Sequence, residues 1–140
     1  MQKKKTSKHT ILAVEDDATL LKVLSNTLAD EGFNVIKAED GQEGFDKALK
    51  HHPDLILLDI IMPVMDGLTM LKKLRKDEWG KNVYVMILTN ADPSSDLINE
   101  ASRAPYVSSY YMKSQYGIRE IIKIAKEKLK KPAIKTQIKK

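Results

Sequence analysis

The chain has 140 residues, 42% of them hydrophobic, which suits one domain with a real core. It has no cysteine, which excludes disulfides, thiolate metal sites and thiol nucleophiles, and no apolar stretch near the roughly 20 residues that a membrane span needs. The net charge of +5 is unevenly spread: residues 1–9 carry four lysines, residues 119–140 carry a surplus of seven positive charges, and the body between them is six charges negative.

In chain order, Thr10-Ile11-Leu12-Ala13-Val14 reads as a strand, followed by Leu20, Leu21, Leu24 and Leu28 at helical spacing up to Gly32, a helix stop. Phe33 to Ile36 is a weaker second strand, and residues 42–51 a helix with Phe45, Ala48 and Leu49 on one face. Leu55 to Leu58 is a third strand, entered through Pro53 and Asp54, and a helix with Leu68, Leu71 and Leu74 follows Gly67. Val83 to Leu88 is the fourth strand, and Pro93 begins a polar helix that ends near Arg103, because Pro105 cannot continue it. Tyr106 to Met112 is the fifth strand and Ile118 to Leu129 the last helix. Such alternation predicts an α/β protein, a doubly wound five-stranded parallel sheet flanked by five helices. Residues 10–131 form the domain, between basic tails at 1–9 and 132–140.

The tails lack aromatics interleaved with their lysines, so they read first as solvated ends and second as a weak, salt-sensitive surface for anions. The N-terminal segment is not of secretory type, because Glu15-Asp16-Asp17 follows too soon, and a soluble cytoplasmic protein is expected.

Asp59 ends the apolar run Leu55-Ile56-Leu57-Leu58, and a carboxylate there is costly unless something needs its charge. Parallel strands place their carboxyl ends on one edge, where open α/β sheets bind ligands. That edge receives Glu15, Asp16 and Asp17 from the first strand, Asp59 from the third, Thr89 from the fourth and Lys113 from the fifth. Clustered carboxylates without nearby His or Cys suit Mg²⁺, which prefers oxygen ligands. Thr89 offers a hydroxyl and Lys113 an ammonium to further oxygens, and an Asp carboxylate can attack phosphorus to form an acyl phosphate. This inventory suits phosphoryl transfer.

Glu15-Asp16-Asp17, the stretch Asp59-Ile60-Ile61-Met62-Pro63-Val64-Met65-Asp66-Gly67, Leu88-Thr89 and Tyr110-Tyr111-Met112-Lys113 together resemble the receiver domain of two-component response regulators, over about residues 10–130. The resemblance, nearest to the single-domain chemotaxis-type regulators, implies a flavodoxin-like fold and Asp59 as the acceptor of a phosphoryl group from a histidine kinase or phosphotransfer protein. It implies Mg²⁺ held by Glu15, Asp16, Asp59 and the backbone carbonyl of Ile61, with Thr89 and Lys113 on the phosphoryl oxygens. Thr89 and Tyr110 are then the switch residues. The expected protein is a stand-alone phosphorylation switch that signals to a downstream protein target, as a monomer or weak dimer, without a DNA-binding domain or membrane contact. It is not an enzyme beyond metal-dependent self-phosphorylation from a donor and slow self-dephosphorylation. The alternative is a pseudo-receiver, a constitutive interaction module that is never phosphorylated. A phosphatase with an Asp nucleophile would need a second Asp two residues on, where this chain has Ile61.

Other residues have structural readings. Asp17 and Asp66 suit helix N-caps, Gly67 a turn with positive φ, and Trp79 loop packing. Three positions depart from the family pattern. Ser114 stands after Lys113 in place of a cis-proline, Asn90 follows Thr89 in place of a small residue, and Ala104-Pro105-Tyr106 leads into the fifth strand. Ile61 and Ala91, at positions that tune acyl-phosphate hydrolysis in the family, are apolar and cannot orient a water, so a long phosphorylated lifetime is expected.

Overall fold

Apolar runs and helix-period segments fold in the expected order: β1 (Thr10–Val14), α1 (Ala18–Asp30), β2 (Asn34–Ala38), α2 (Gly41–His51), β3 (Leu55–Leu58), α3 (Gly67–Arg75), β4 (Tyr84–Thr89), β5 (Ser109–Met112) and α4 (Ile118–Leu129). The computed structural model describes residues 9–90 and 107–130, with Asp96, Asn99 and Glu100 between them. The helix expected over 93–103 falls largely outside the described residues, although those three positions are helical. Residues 1–8 and 131–140 and the Ala104-Pro105-Tyr106 connection also lie outside them.

All five strands are parallel, in the order β2-β1-β3-β4-β5, a flavodoxin-like doubly wound sheet. β1, β3 and β4 are central, and their unbroken apolar runs are buried because helices cover both faces. Strand alternation divides the core in two. Leu12, Val14, Ile56, Leu58, Val85 and Ile87 pack toward α2 and α3 with Met70, Leu71 and Leu74. Ile11, Ala13, Leu55, Leu57, Met86 and Leu88 pack toward α1 and α4 with Leu21, Leu24, Leu28, Ile121 and Ile122.

Three strand boundaries shift. β2 runs on to Ala38, because an edge strand tolerates the outward Lys37 while Ala38 turns inward. β4 starts and ends one residue later than the apolar run. β5 begins at Ser109, and a side-chain interception explains the shortening. The Val85 N–H donates to the Ser108 hydroxyl oxygen at 3.0 Å, a bond made to a side chain and not to a strand carbonyl. The Arg75 guanidinium fixes that hydroxyl through Nη2 at 3.3 Å, while its Nη1 donates to the carbonyls of Gly80 and Val83.

Gly67 is needed for a different reason from the one expected. Among the described residues positive φ falls on His52 (48°), Val64 (68°) and the helix-stop Gly32 (96°), not on Gly67. A Cβ on Gly67 would lie 2.0 Å from the Asp59 carbonyl oxygen, and the Gly67 N–H donates to the Ile60 carbonyl at 2.8 Å. So glycine there allows α3 to start against the strand that carries Asp59. At the other end of the sheet, Trp79 stacks on His52, with ring centroids 4.4 Å apart and planes 7° from parallel.

Candidate functional site

Each residue of the acidic edge is set by its own strand. The Asp59 N–H donates to the Val14 carbonyl at 3.1 Å, which fixes the end of β3 beside the end of β1. This pair of neighbours is the sheet's switch point: from β1 the chain first winds outward to β2, then crosses back to β3. Glu15 continues β1 by donating its N–H to the Ala38 carbonyl at 3.0 Å, and its carboxylate accepts the Asp17 N–H at 3.0 Å. Asp17 in turn caps α1, accepting from the Leu20 N–H at 3.1 Å, so it faces the helix as expected. Asp66 caps α3 in the same way, through the Thr69 N–H at 2.8 Å.

Carboxylate oxygens of Glu15, Asp16 and Asp59 all lie within 4.8 Å of one another. Glu15 and Asp59 are buried, and Asp16 is exposed at the rim. From β5 comes Lys113, whose N–H donates to the Thr89 carbonyl at 2.8 Å. Its Nζ lies 2.6 Å from Glu15 Oε1 and 3.5 Å from Asp59 Oδ2. The ammonium is therefore bonded to Glu15 and only adjacent to Asp59. Asp59 Oδ1 accepts the Ile60 N–H at 2.8 Å.

These surroundings push the Asp59 carboxyl up to about 6. Burial is the main cause; Glu15 and Asp16 add to it, while Lys113 and the Ile60 N–H oppose it. One ammonium for three carboxylates leaves the edge short of positive charge. The donor set is all oxygen, close-set and partly open, so the residues present fit a hard divalent cation.

Thr89 is fully buried at the end of β4. Tyr110 is half-buried on β5 and packs against the α2–α3 side of the core, its hydroxyl donating to Met112 Sδ at 3.5 Å. Burial raises the phenol's pKa. The structure thus gathers Glu15, Asp16, Asp59 and Lys113 at one point and ties Thr89 to them through the backbone. Ile61 is 48% exposed in the loop beyond Asp59, and Asn90 is exposed beyond Thr89, while Ala91 lies outside the described residues. All peptide bonds among the described residues are trans, including Lys113–Ser114.

One positioning contact was not foreseen. Tyr116, in the loop after Lys113, meets Tyr111 edge-on, with centroids 5.2 Å apart and planes at 80°. No spacing rule pairs a strand residue with a loop residue five positions on, so the sequence carried no signal for it.

Comparison with known proteins gives the same picture. The family model described as the response regulator receiver domain matches residues 11–126. The probable transcriptional regulator ycf29 of Porphyra purpurea is 33% identical over 129 residues, which is 92% of this chain and 60% of that protein. The response regulator ArlR of Staphylococcus aureus is 34% identical over 112 residues, 80% of this chain and 48% of that one. The chain therefore spans only about half to three-fifths of the length of these curated relatives. Among solved structures, chemotaxis protein CheY4 of Vibrio cholerae is 28% identical with a TM-score of 0.75, covering 86% of this chain and 98% of its own. A CheY-like receiver domain protein of Methanospirillum hungatei is 29% identical with a TM-score of 0.78, covering 89% and 96%. Response regulator TrrA of Thermotoga maritima, solved in complex with Mg²⁺–BeF, is 29% identical with a TM-score of 0.70, covering 85% and 97%.

Proposed function

Because the chain belongs to the response regulator receiver family, we propose that Asp59 is its phosphoacceptor and that phosphorylation there switches the binding of a downstream protein. The observation that carries this reading is the single point at which Glu15, Asp16, Asp59 and Lys113 converge. A carboxylate oxygen of Asp59 attacks phosphorus, the bond to the donor's leaving atom breaks, and an acyl phosphate forms. Glu15, Asp16, Asp59 and the Ile61 carbonyl would hold Mg²⁺, which offsets charge on the phosphoryl oxygens, as the Mg²⁺–BeF complex of TrrA supports. Lys113 leaves Glu15 for a phosphoryl oxygen, and the Thr89 hydroxyl donates to another. Tyr110, half-buried on the neighbouring strand, then shifts between two packings, and its face of the sheet reports the change.

The donor is a histidine kinase or phosphotransfer protein, and the receiver works in the cytoplasm as a monomer or weak dimer. No helix among the described residues is long and apolar enough to cross a membrane. Intact mass after incubation with acetyl phosphate and Mg²⁺ tests the assignment. One added phosphoryl group is expected in the wild type, and none in Asp59→Asn or without metal. No gain in the wild type would make the chain a pseudo-receiver.

Ile61, two residues beyond Asp59 and partly exposed, is apolar and cannot orient water. The acyl phosphate should therefore persist for minutes or longer with Mg²⁺ present, and decay within seconds would refute that.

A further inference from the structure

The last helix carries a charge pattern that the phosphoacceptor site does not use. Arg119, Lys123, Lys126 and Lys130 recur at intervals of four, three and four residues, which sets them on one side of α4 over about 16 Å. Lys128 is turned away from them, 5.9 Å from the centre of the Tyr84 ring.

Where α4 lies beside α1, a groove of about 200 Å³ opens, lined by Thr27, Glu31, Arg119, Ile122, Lys123 and Lys126. Among the described residues Glu31 is the only carboxylate in that lining, and it is ion-paired with Lys126. Among the described residues neither Arg119 nor Lys123 has a carboxylate partner. The groove shares no residue with the acidic edge. Its floor, Ile122, is 4% exposed, so it offers no apolar anchor of the kind that protein partners and membranes use. The sequence adds further positive charge beyond the helix, with Lys131, Lys135, Lys139 and Lys140.

We infer that the α1–α4 groove and the stripe of Arg119, Lys123, Lys126 and Lys130 bind the phosphate backbone of a nucleic acid. Charge complementarity carries this choice of occupant. A row of cations about 16 Å long runs beside about five base-pair steps of duplex axis, at about 3.4 Å each. Arg119 presents a planar fork to a phosphate, and Lys123 a point charge one turn further on. Among the described residues the lining has no aromatic or base-reading amide, so recognition is of the backbone and not of sequence. The acidic body beyond the stripe repels the same polyanion, which confines contact to this side of the molecule.

The test is fluorescence anisotropy of the full chain with a short labelled DNA over a range of salt concentrations. Arg119→Gln/Lys123→Gln is compared with Lys50→Gln/Lys76→Gln, which removes the same charge from exposed positions on α2 and at the C-cap of α3. Loss of two phosphate contacts should lower the slope of log K against log salt by roughly 1.5–2, and weaken binding by roughly 60-fold at 0.1 M salt. The control pair should change affinity by less than about threefold. Acetyl phosphate labelling of the groove variant should equal wild type, which shows that it is folded. Equal losses in both double variants would reduce the effect to net charge and overturn the proposal, as would no wild-type binding at low salt. Competition by polyglutamate as strong as by nucleic acid of equal charge would assign the groove to an acidic protein and overturn it equally.

Discussion

At the scale of single residues, the buried carboxylate of Asp59 costs the fold stability. Its carboxyl titrates near 3.8 when unconstrained and near 6 in the fold, chiefly because it is buried. The native state thus holds that proton more tightly than the unfolded chain. The associated stability is complete below about pH 4, falls as pH rises through 4 to 6, and is gone above it. Asp59→Asn cannot ionise, so at pH 7.5 without metal it should exceed wild type by about 1–3 kcal/mol in urea unfolding. The gap should close near pH 4, and added Mg²⁺ should narrow it at pH 7.5; a gap that ignores pH would sink the idea. A second strained residue is nearby. Val64 is β-branched, 81% exposed and held at φ 68° in the loop after Asp59. Val64→Gly should stabilise the fold by about 1 kcal/mol, because relief of left-handed strain outweighs the added chain entropy. Gly67→Ala should do the reverse and cost about 3 kcal/mol or more, with its new Cβ driven into the Asp59 carbonyl. Thermal melts of the two variants decide both. The special role of Gly67 was legible in the sequence, but its cause was not: a residue name shows that a side chain is missing, and not whether φ or a neighbour requires it.

At the scale of elements, strands 55–58 and 10–14 and the last helix were readable to the residue, because each is an unbroken apolar or period-3.6 segment with clear flanks. β5 was not, because its first paired residue is decided by the Ser108 hydroxyl and the Arg75 guanidinium, a bond between positions 33 residues apart. The connection after β5 raises a functional question as well. With Ser114 in place of proline and a trans peptide, the loop that carries Lys113 is tied down by the Tyr111–Tyr116 edge-to-face pair and by the Gln115 N–H on the Met112 carbonyl at 3.0 Å. Tyr116→Ala should slow labelling by acetyl phosphate several-fold while leaving Mg²⁺ affinity near wild type, and Tyr116→Phe should restore the rate, since the ring and not the hydroxyl makes the contact. If Tyr116→Ala weakens metal binding as much as labelling, the tyrosine supports the whole edge and not the lysine.

At the scale of the molecule, strand–helix alternation told that one edge would gather Glu15, Asp16, Asp59, Thr89 and Lys113. The strand order that makes β1 and β3 direct neighbours had no signal of its own in the chain. The same division of labour appears in the charge. The proposed phosphoacceptor site draws only on residues of the acidic body, so removing residues 132–140 should leave Asp59 labelling unchanged; a fall in labelling would show that the tail contributes to the site. The stacked pair at the far end of the sheet gives these experiments their signal. Trp79 is the chain's single tryptophan, and it sits against His52 in the turn between α3 and β4, at the opposite end of the strands from Asp59. Its emission will follow the loss of the whole fold and stay dark to events at the acidic edge, so one intrinsic fluorophore can compare phosphorylated, metal-loaded and substituted forms on a common optical scale.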